Sequence, residues 1–393
     1  MRADNPGYNK VVTNWRSSRW ENSTMNAERT PISWVRGYTQ RGEGDVPGTY
    51  YAVYRMSELV NNGFITPAEG RGLLIDSNLI DMVWEVLWAD DYPTPDEELE
   101  DRIGGVEGYA VFMHGWTGNH TIFESIPGLV VSNNRRLVAI SVDHNGFGGS
   151  RFVRDTPTLE ECCPPSTMKT IETLIEVLRI RRQPGQRDPK VINFIGHSMG
   201  GAALFYLNPL RWRVGEETRL ALTPALLLND ESKRAFYTAL GIGISLVNMI
   251  RVFELVERMI KPQLIETVCA GASYFVRRAH QQQYQSTPRG TTAATFTAMG
   301  LLADREIARR WDMFRVTLGH RDALVGLVPM LDMLSDMEFP SSHVRVVAGS
   351  HYLFSVGPEN VYQHAQNREL VVQDILELHQ HAYSLQKTGL KVG

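Results

Sequence analysis

Val191-Ile192-Asn193-Phe194-Ile195-Gly196-His197-Ser198-Met199-Gly200-Gly201-Ala202-Ala203-Leu204-Phe205-Tyr206 decides how the rest of the chain is read. Its first five residues form a short, mostly apolar run of the kind a strand buried on both faces shows, and Ala202 to Tyr206 can open a helix. Between them stands G-x-S-x-G, at Gly196, Ser198 and Gly200. Alone the pattern carries little: with glycine near 7% of residues, a chain of this length shows it by chance about once in seven cases. Its setting gives it weight. A tight strand-to-helix turn holds its serine in a strained backbone, and flanking glycines keep the neighbouring backbone from clashing. The turn lifts the hydroxyl above the sheet, and the N-terminus of the following helix favours negative charge developing there. Ser198 is therefore the candidate nucleophile and the Met199 N–H a candidate oxyanion donor. The plainer alternative is a glycine-rich turn with an ordinary serine.

Outward from this stretch, apolar runs recur at strand length. Tyr109 to Met113 ends at His114-Gly115-Trp116-Thr117-Gly118, a loop whose Trp116 N–H is the second candidate oxyanion donor. Leu137 to Val142 ends at Asp143, and the glycines that follow suit a structural turn. Leu220 to Leu228 contains a fourth strand, and Phe314 to Leu318 and Val344 to Ala348 read as two more. Helix-length segments lie at Ile122 to Ser132, at Ser166 to Arg179 with apolar spacing from Met168 to Leu178, and at Leu370 to Tyr383. This alternation predicts an α/β fold with a mainly parallel sheet flanked by helices. No strand pattern appears between Asp230 and Trp311, whereas Leu246 to Ile260 is strongly helical, so 231–310 is expected to be a helical cap above the strand ends. The catalytic domain is then 101–230 with 311–393, and 1–100 is an N-terminal extension or arm.

A serine hydroxyl needs a base within hydrogen-bond reach. His351 directly follows the last predicted strand, late in the chain, as the order Ser, acid, His requires. His197 would point away across the turn; His320 and His343 are outsiders. The acid that fixes the histidine's tautomer is expected at Asp322, after the next-to-last strand, with Asp230 as rival because a preceding strand can also donate it.

The ordered set His114-Gly115, Asp143 with its glycines, Gly196 to Gly201, Asp322 and Gly349 to His351 resembles the α/β-hydrolase family. Within it, the Gly-His-Ser-Met-Gly-Gly turn and the late insert resemble capped esterases and lipases of the monoacylglycerol-lipase kind. The resemblance covers Tyr109 to Tyr383 and implies a Ser-His-Asp serine hydrolase, without metal or organic cofactor, acting on carboxylic esters of small to medium apolar substrates. It leaves open a thioesterase or carbon–carbon bond hydrolase, and a ligand-binding protein that keeps the fold. The first hundred residues exceed what the family carries before its oxyanion strand, and Asn145 stands where many relatives have arginine.

Composition agrees with a globular protein: 43% of the 393 residues are hydrophobic and 21% charged. A net charge of −4 with no basic run excludes an electrostatic footprint for nucleic acid. Three cysteines, two of them adjacent, do not make a disulfide framework. No signal-peptide core and no transmembrane segment are evident, which predicts a cytoplasmic protein whose N-terminal region is available for homo-oligomer formation. Phe236, Leu246, Met249, Ile250, Phe253, Met259 and Met299 are the apolar residues the cap could offer to a substrate, or simply to packing.

Overall fold

A computed structural model of the protein describes residues 107–388, apart from 135, 145, 149, 153–156, 178–189, 209–210, 248–264, 305 and 359, together with strand backbones at 33–35, 49–55 and 79–87. These all fall within one unit, Ile32–Gly393. The strands are β1 (Ser33–Val35), β2 (Thr49–Arg55), β3 (Leu79–Leu87), β4 (Gly108–Met113), β5 (Leu137–Asp143), β6 (Arg151–Phe152), β7 (Val191–His197), β8 (Glu217–Leu222), β9 (Phe314–Gly319) and β10 (Val344–Val347). The helices are α1 (Ile126–Asn133), α2 (Pro164–Val177), α3 (Met199–Ala203), α4 (Glu231–Val247), α5 (Tyr274–Ser286), α6 (Arg289–Gly300), α7 (Leu327–Asp336) and α8 (Val361–Thr388).

One sheet runs in the order β1-β2-β3-β5-β4-β7-β8-β9-β10, with β6 beside β3. The six strands from β5 to β10 along that path are parallel, as the alternating pattern predicts. Every residue of β4, β5, β7 and β8 is buried, which explains why β4, β5 and β7 read as largely continuous apolar runs instead of alternating ones. From β4 the chain goes to one side, to β5, and then crosses to the other, to β7. The loops after β4 and β7 therefore diverge around a switch point, where an open α/β sheet leaves a crevice beyond its carboxyl ends.

Three elements differ from expectation. The sheet begins before residue 101: β1, β2 and β3 join it antiparallel, through β3 on β5, so part of the expected N-terminal arm belongs to the sheet. The segment read as one helix from Ile122 is a 3-10 turn at His120–Phe123, a break at Glu124 with φ 51°, and then α1. The fourth strand lies earlier than the run Leu220 to Leu228. Its polar start is buried, with Arg219 Nε 3.2 Å from Glu217 Oε2 and its guanidinium 4.4 Å from the Phe314 ring centre. Thr223 (φ 43°) and Pro224 then end the pairing.

Between β8 and β9 the described residues form α4, α5 and α6 and no strand. Most of the predicted helix Leu246 to Ile260 lies outside the described residues, as do Met249, Ile250, Phe253 and Met259. Thr291 to Gly300 of α6 are buried on every side. Helix α4 lies backbone-close to it: a Cβ on Gly241 would sit 2.6 Å from the Ala293 carbonyl oxygen and 2.2 Å from Thr297 Oγ1. Arg234 fastens the pair by donating to the carbonyls of Leu228, Gly300 and Leu302. Met299 is buried, whereas Phe236 is 58% exposed; its neighbour Tyr237 turns inward and stacks on Phe296.

Two glycines of α4 give a paired test. Gly241→Ala must push α4 off α6, whereas Gly243, with nothing among the described residues within 4 Å of a Cβ, is free to take one. Gly243→Ala is expected to stabilise the fold through helix propensity by up to about 1 kcal/mol and so raise Tm, and Gly241→Ala to destabilise it by about 1–3 kcal/mol and lower Tm. Equal shifts in thermal denaturation would contradict the close contact.

Candidate active site

Ser198 sits between β7 and α3 with φ 55° and ψ −118°, a left-handed backbone that a residue with a side chain rarely adopts. Hydrogen bonds from three other segments hold it there. Its N–H donates to Leu222 O at 3.0 Å, its carbonyl accepts from Ala202 and Ala225, and Gly200 N–H donates to His114 O at 3.1 Å. The glycines are required by this crowding. A Cβ on Gly200 would stand 2.3 Å from Met113 O, and one on Gly196 would stand 2.3 Å from Gly200 O. The loop after β4 closes on the serine itself, since a Cβ on Gly115 would lie 3.2 Å from Ser198 Oγ. Among the described residues neither the Trp116 nor the Met199 amide donates a backbone hydrogen bond. Both expected oxyanion donors thus belong to backbone that meets at Ser198 and keep an N–H to give.

His351 and Asp322 come together as the sequence predicts. His351 Nδ1 is 2.8 Å from Asp322 Oδ2, and both residues are buried. Asp322 Oδ1 accepts from the amides of Leu324 and Val325 at 2.9 and 3.0 Å. Burial opposes its ionisation, but His351 and the two amides outweigh burial and hold the carboxyl below its ordinary range. The other ring nitrogen of His351, Nε2, is buried and makes no hydrogen bond among the described residues, to Ser198 Oγ included. The His351 backbone is anchored from beneath, its carbonyl accepting from Thr223 Oγ1 at 2.9 Å and from His197 Nε2 at 3.0 Å. His197 therefore braces the histidine loop.

The remaining candidates have other tasks. Asp230 caps the first turn of α4, accepting from Lys233 N–H and Ser232 Oγ. Asp143 accepts from His120 N–H at 2.6 Å and sits under Gly148, whose φ of 60° and 2.1 Å clearance admit no side chain. His320 is exposed, and His343 packs on Phe339 below β10.

The sequence did not announce a set of buried histidines around the site. His114 and His144 meet edge to face at 3.8 Å; His144 Nε2 donates to His114 O, and His144 N–H donates to His114 Nε2. His280 of α5 bridges Thr117 and Tyr352. Burial lowers His144 and His280 to about 3, and, with neighbouring histidines adding to it, takes His114 and His197 well below the usual value. All four stay neutral at pH 7. His280 lies in Arg277-Arg278-Ala279-His280-Gln281-Gln282-Gln283, which reads as a solvated helix, so composition hides it.

An aromatic group stands beside the loop after β4. The Trp116 ring is 4.2 Å from Phe296 of α6 and 6.0 Å from Tyr284 of α5, and Phe296 is 5.7 Å from Tyr237 of α4. Cys162, Cys163 and Cys269 are unbridged. Among the described residues no three His, Cys, Asp or Glu side chains converge to hold a metal ion, and no helix is long and apolar enough to cross a membrane.

No protein-family model matches the chain, and no curated protein sequence matches it. Solved structures do. It is similar to an esterase from Exiguobacterium antarcticum at 14% identity, TM-score 0.53, over 75% of this chain and 96% of that one. A bromoperoxidase from Bacillus anthracis matches at 13% identity, TM-score 0.52, over 76% and 96%. A thermophilic esterase from Thermogutta terrifontis matches at 16%, TM-score 0.50, over 77% and 94%. The chain has the α/β-hydrolase fold. At these identities the likeness is one of fold.

The buried imidazoles make stability depend on pH in a definite direction. His114, His144, His197, His280 and His379 (the last lowered to about 4 by burial) bind protons in the unfolded chain at a pKa near 6.5 that they refuse in the folded one. Their contribution is complete above about pH 6.5 and is lost as pH falls toward the lowered values, at about 1.4 kcal/mol per pH unit for each imidazole. Tm is expected to drop steeply between about pH 6.5 and 4.5; a flat Tm across that interval would contradict neutral burial.

Proposed function

We propose that the protein is a serine hydrolase that cleaves carboxylic esters of small to medium apolar substrates through an acyl-enzyme. One observation carries the reading. His351 is tethered through Nδ1 to an ionised Asp322 and keeps a bare, buried Nε2, at the sheet edge where Ser198 is held in a strained turn. An imidazole with that tautomer can only accept at Nε2, which is the property a general base needs.

In the mechanism, Ser198 Oγ attacks the ester carbonyl carbon while His351 Nε2 takes the hydroxyl proton. The negative charge on the carbonyl oxygen rests on the Trp116 and Met199 amides, donors that need no reorganisation because their loops are fixed. Asp322 stabilises the imidazolium without taking its proton. His351 then protonates the departing alkoxide as the carbon–oxygen bond breaks, leaving the acyl group on Ser198. Water, deprotonated by the same nitrogen, attacks the acyl-enzyme, and collapse returns the proton to Ser198 and releases the acid. Residues 231–310 act as a cap: α4, α5 and α6 each contribute a ring to the aromatic group at Trp116, a surface for an apolar acyl or alcohol portion.

Ser198→Ala should fold with an unchanged Tm and lose kcat on p-nitrophenyl esters by about 10⁴-fold or more. Asp322→Asn should cost about 10³–10⁴-fold in kcat, because the amide presents the wrong tautomer to His351, whereas Asp230→Asn should cost less than about threefold. A larger kcat loss in the Asp230 variant would reverse the choice of acid, and undiminished turnover in Ser198→Ala would refute the nucleophile.

A further inference from the structure

Helix α5 approaches the sheet with one stripe, Val276, His280, Gln283 and Tyr284, at the i, i+4, i+7, i+8 spacing of one helical face. The stripe touches the loops after three different strands. Gln283 Oε1 accepts from Gly148 N–H in the loop after β5 at 3.1 Å, and Tyr284 meets Trp116 in the loop after β4. His280 reaches two loops at once. Its Nδ1 is 2.8 Å from Thr117 Oγ1, and its Nε2 is hydrogen-bonded to the hydroxyl of Tyr352. Thr117 follows Trp116 and has a left-handed backbone, φ 50°; Tyr352 follows His351.

We infer that His280 is a positioning residue, a neutral imidazole strut that fixes the distance between the oxyanion loop and the histidine loop and so couples the helical insert to the geometry of the reaction. The inference rests on the reading of Ser198 and His351 as nucleophile and base. A histidine fits this task for a chemical reason. A neutral imidazole has one donor and one acceptor on opposite sides of a rigid ring, so it can satisfy a hydroxyl at each end and resist compression between them. Burial keeps it neutral, with His351 nearby opposing a second charge. Tyr352 stays protonated because burial pushes its phenol well above the usual value, so it always has a proton for this contact. A packing residue in the same place would need only volume; the two opposed polar contacts, buried with nothing exposed to water, are what mark the strut.

The test is a set of variants assayed for kcat and KM on a p-nitrophenyl ester, with melting temperature recorded for each. Loss of turnover in Ser198→Ala secures the underlying reading first; if Ser198→Ala keeps its activity, that reading fails independently of His280. His280→Ala is expected to lower kcat by about tenfold to a hundredfold with KM within about threefold, the signature of misplaced catalytic groups and not of lost binding. His280→Asn reproduces the Nδ1 contact and His280→Gln the Nε2 contact, and each should recover part of the loss. Thr117→Val and Tyr352→Phe should each lower kcat, with a combined loss smaller than the product of the two, because either break already frees the strut. A His280→Ala enzyme with kcat within about twofold of the parent, or with its loss confined to KM and Tm, would overturn the inference. If His280→Ala does not fold, the Thr117 and Tyr352 pair decides: losses that multiply overturn it, and losses that overlap support it.

Discussion

The left-handed backbone of Ser198 is the constraint on which the rest of the structure turns. It cannot persist alone, because a side chain at φ 55° is strained, and strain of this kind survives only where surrounding structure fixes it from several sides. Here β8 supplies Leu222, the turn after it Ala225, α3 Ala202, and the loop after β4 His114 as partners for the turn. Gly115, Gly196 and Gly200 let those backbones approach to distances that a methyl group would forbid. The parallel order β4-β7-β8 is what brings these four segments to one edge. The fold and the strained serine are therefore two descriptions of one arrangement.

The second feature is electrical. The site is ringed by neutral imidazoles, with the Asp322 carboxylate held ionised among them. In dry surroundings each fixed dipole counts for more than it would in water, and each unpaired polar group costs more. His197, His114, His144 and His280 accordingly spend hydrogen bonds on bracing backbone and hydroxyls. The Nε2 of His351 is bare, as are the Nδ1 atoms of His144 and His197, but His351 alone of these three has its other ring nitrogen on a carboxylate. In the proposed mechanism this orphaned acceptor is completed by the proton it takes from Ser198.

Much of this was legible in the sequence because strands buried on both faces leave continuous apolar runs. The β4, β5 and β7 runs stood out for that reason, β9 and the half-buried edge strand β10 by their β-branched residues, and the strand ends that carry Asp322 and His351 followed from them. The order of Ser198, Asp322 and His351 along the chain named the pair that the structure joins at 2.8 Å. The rest was hidden for specific reasons. The start of β8 is Glu217-Thr218-Arg219, which looks solvated until its ions are seen to pair with each other inside the protein. Strands β1 to β3 are separated by long stretches, and the antiparallel register that joins them to one another and β3 to β5 has no local signature. His280 sits among arginines and glutamines, and only the three-dimensional approach of α5 to two loops makes it matter.

The central claim is that Ser198 is an activated nucleophile beside a histidine base. Treating the folded protein with a fluorophosphonate and locating the adduct by peptide mass spectrometry tests it most directly. The account predicts one phosphonyl group per chain, carried by Ser198, with labelling abolished by prior unfolding. A folded protein that takes up no label, or carries it on another residue, would contradict the account.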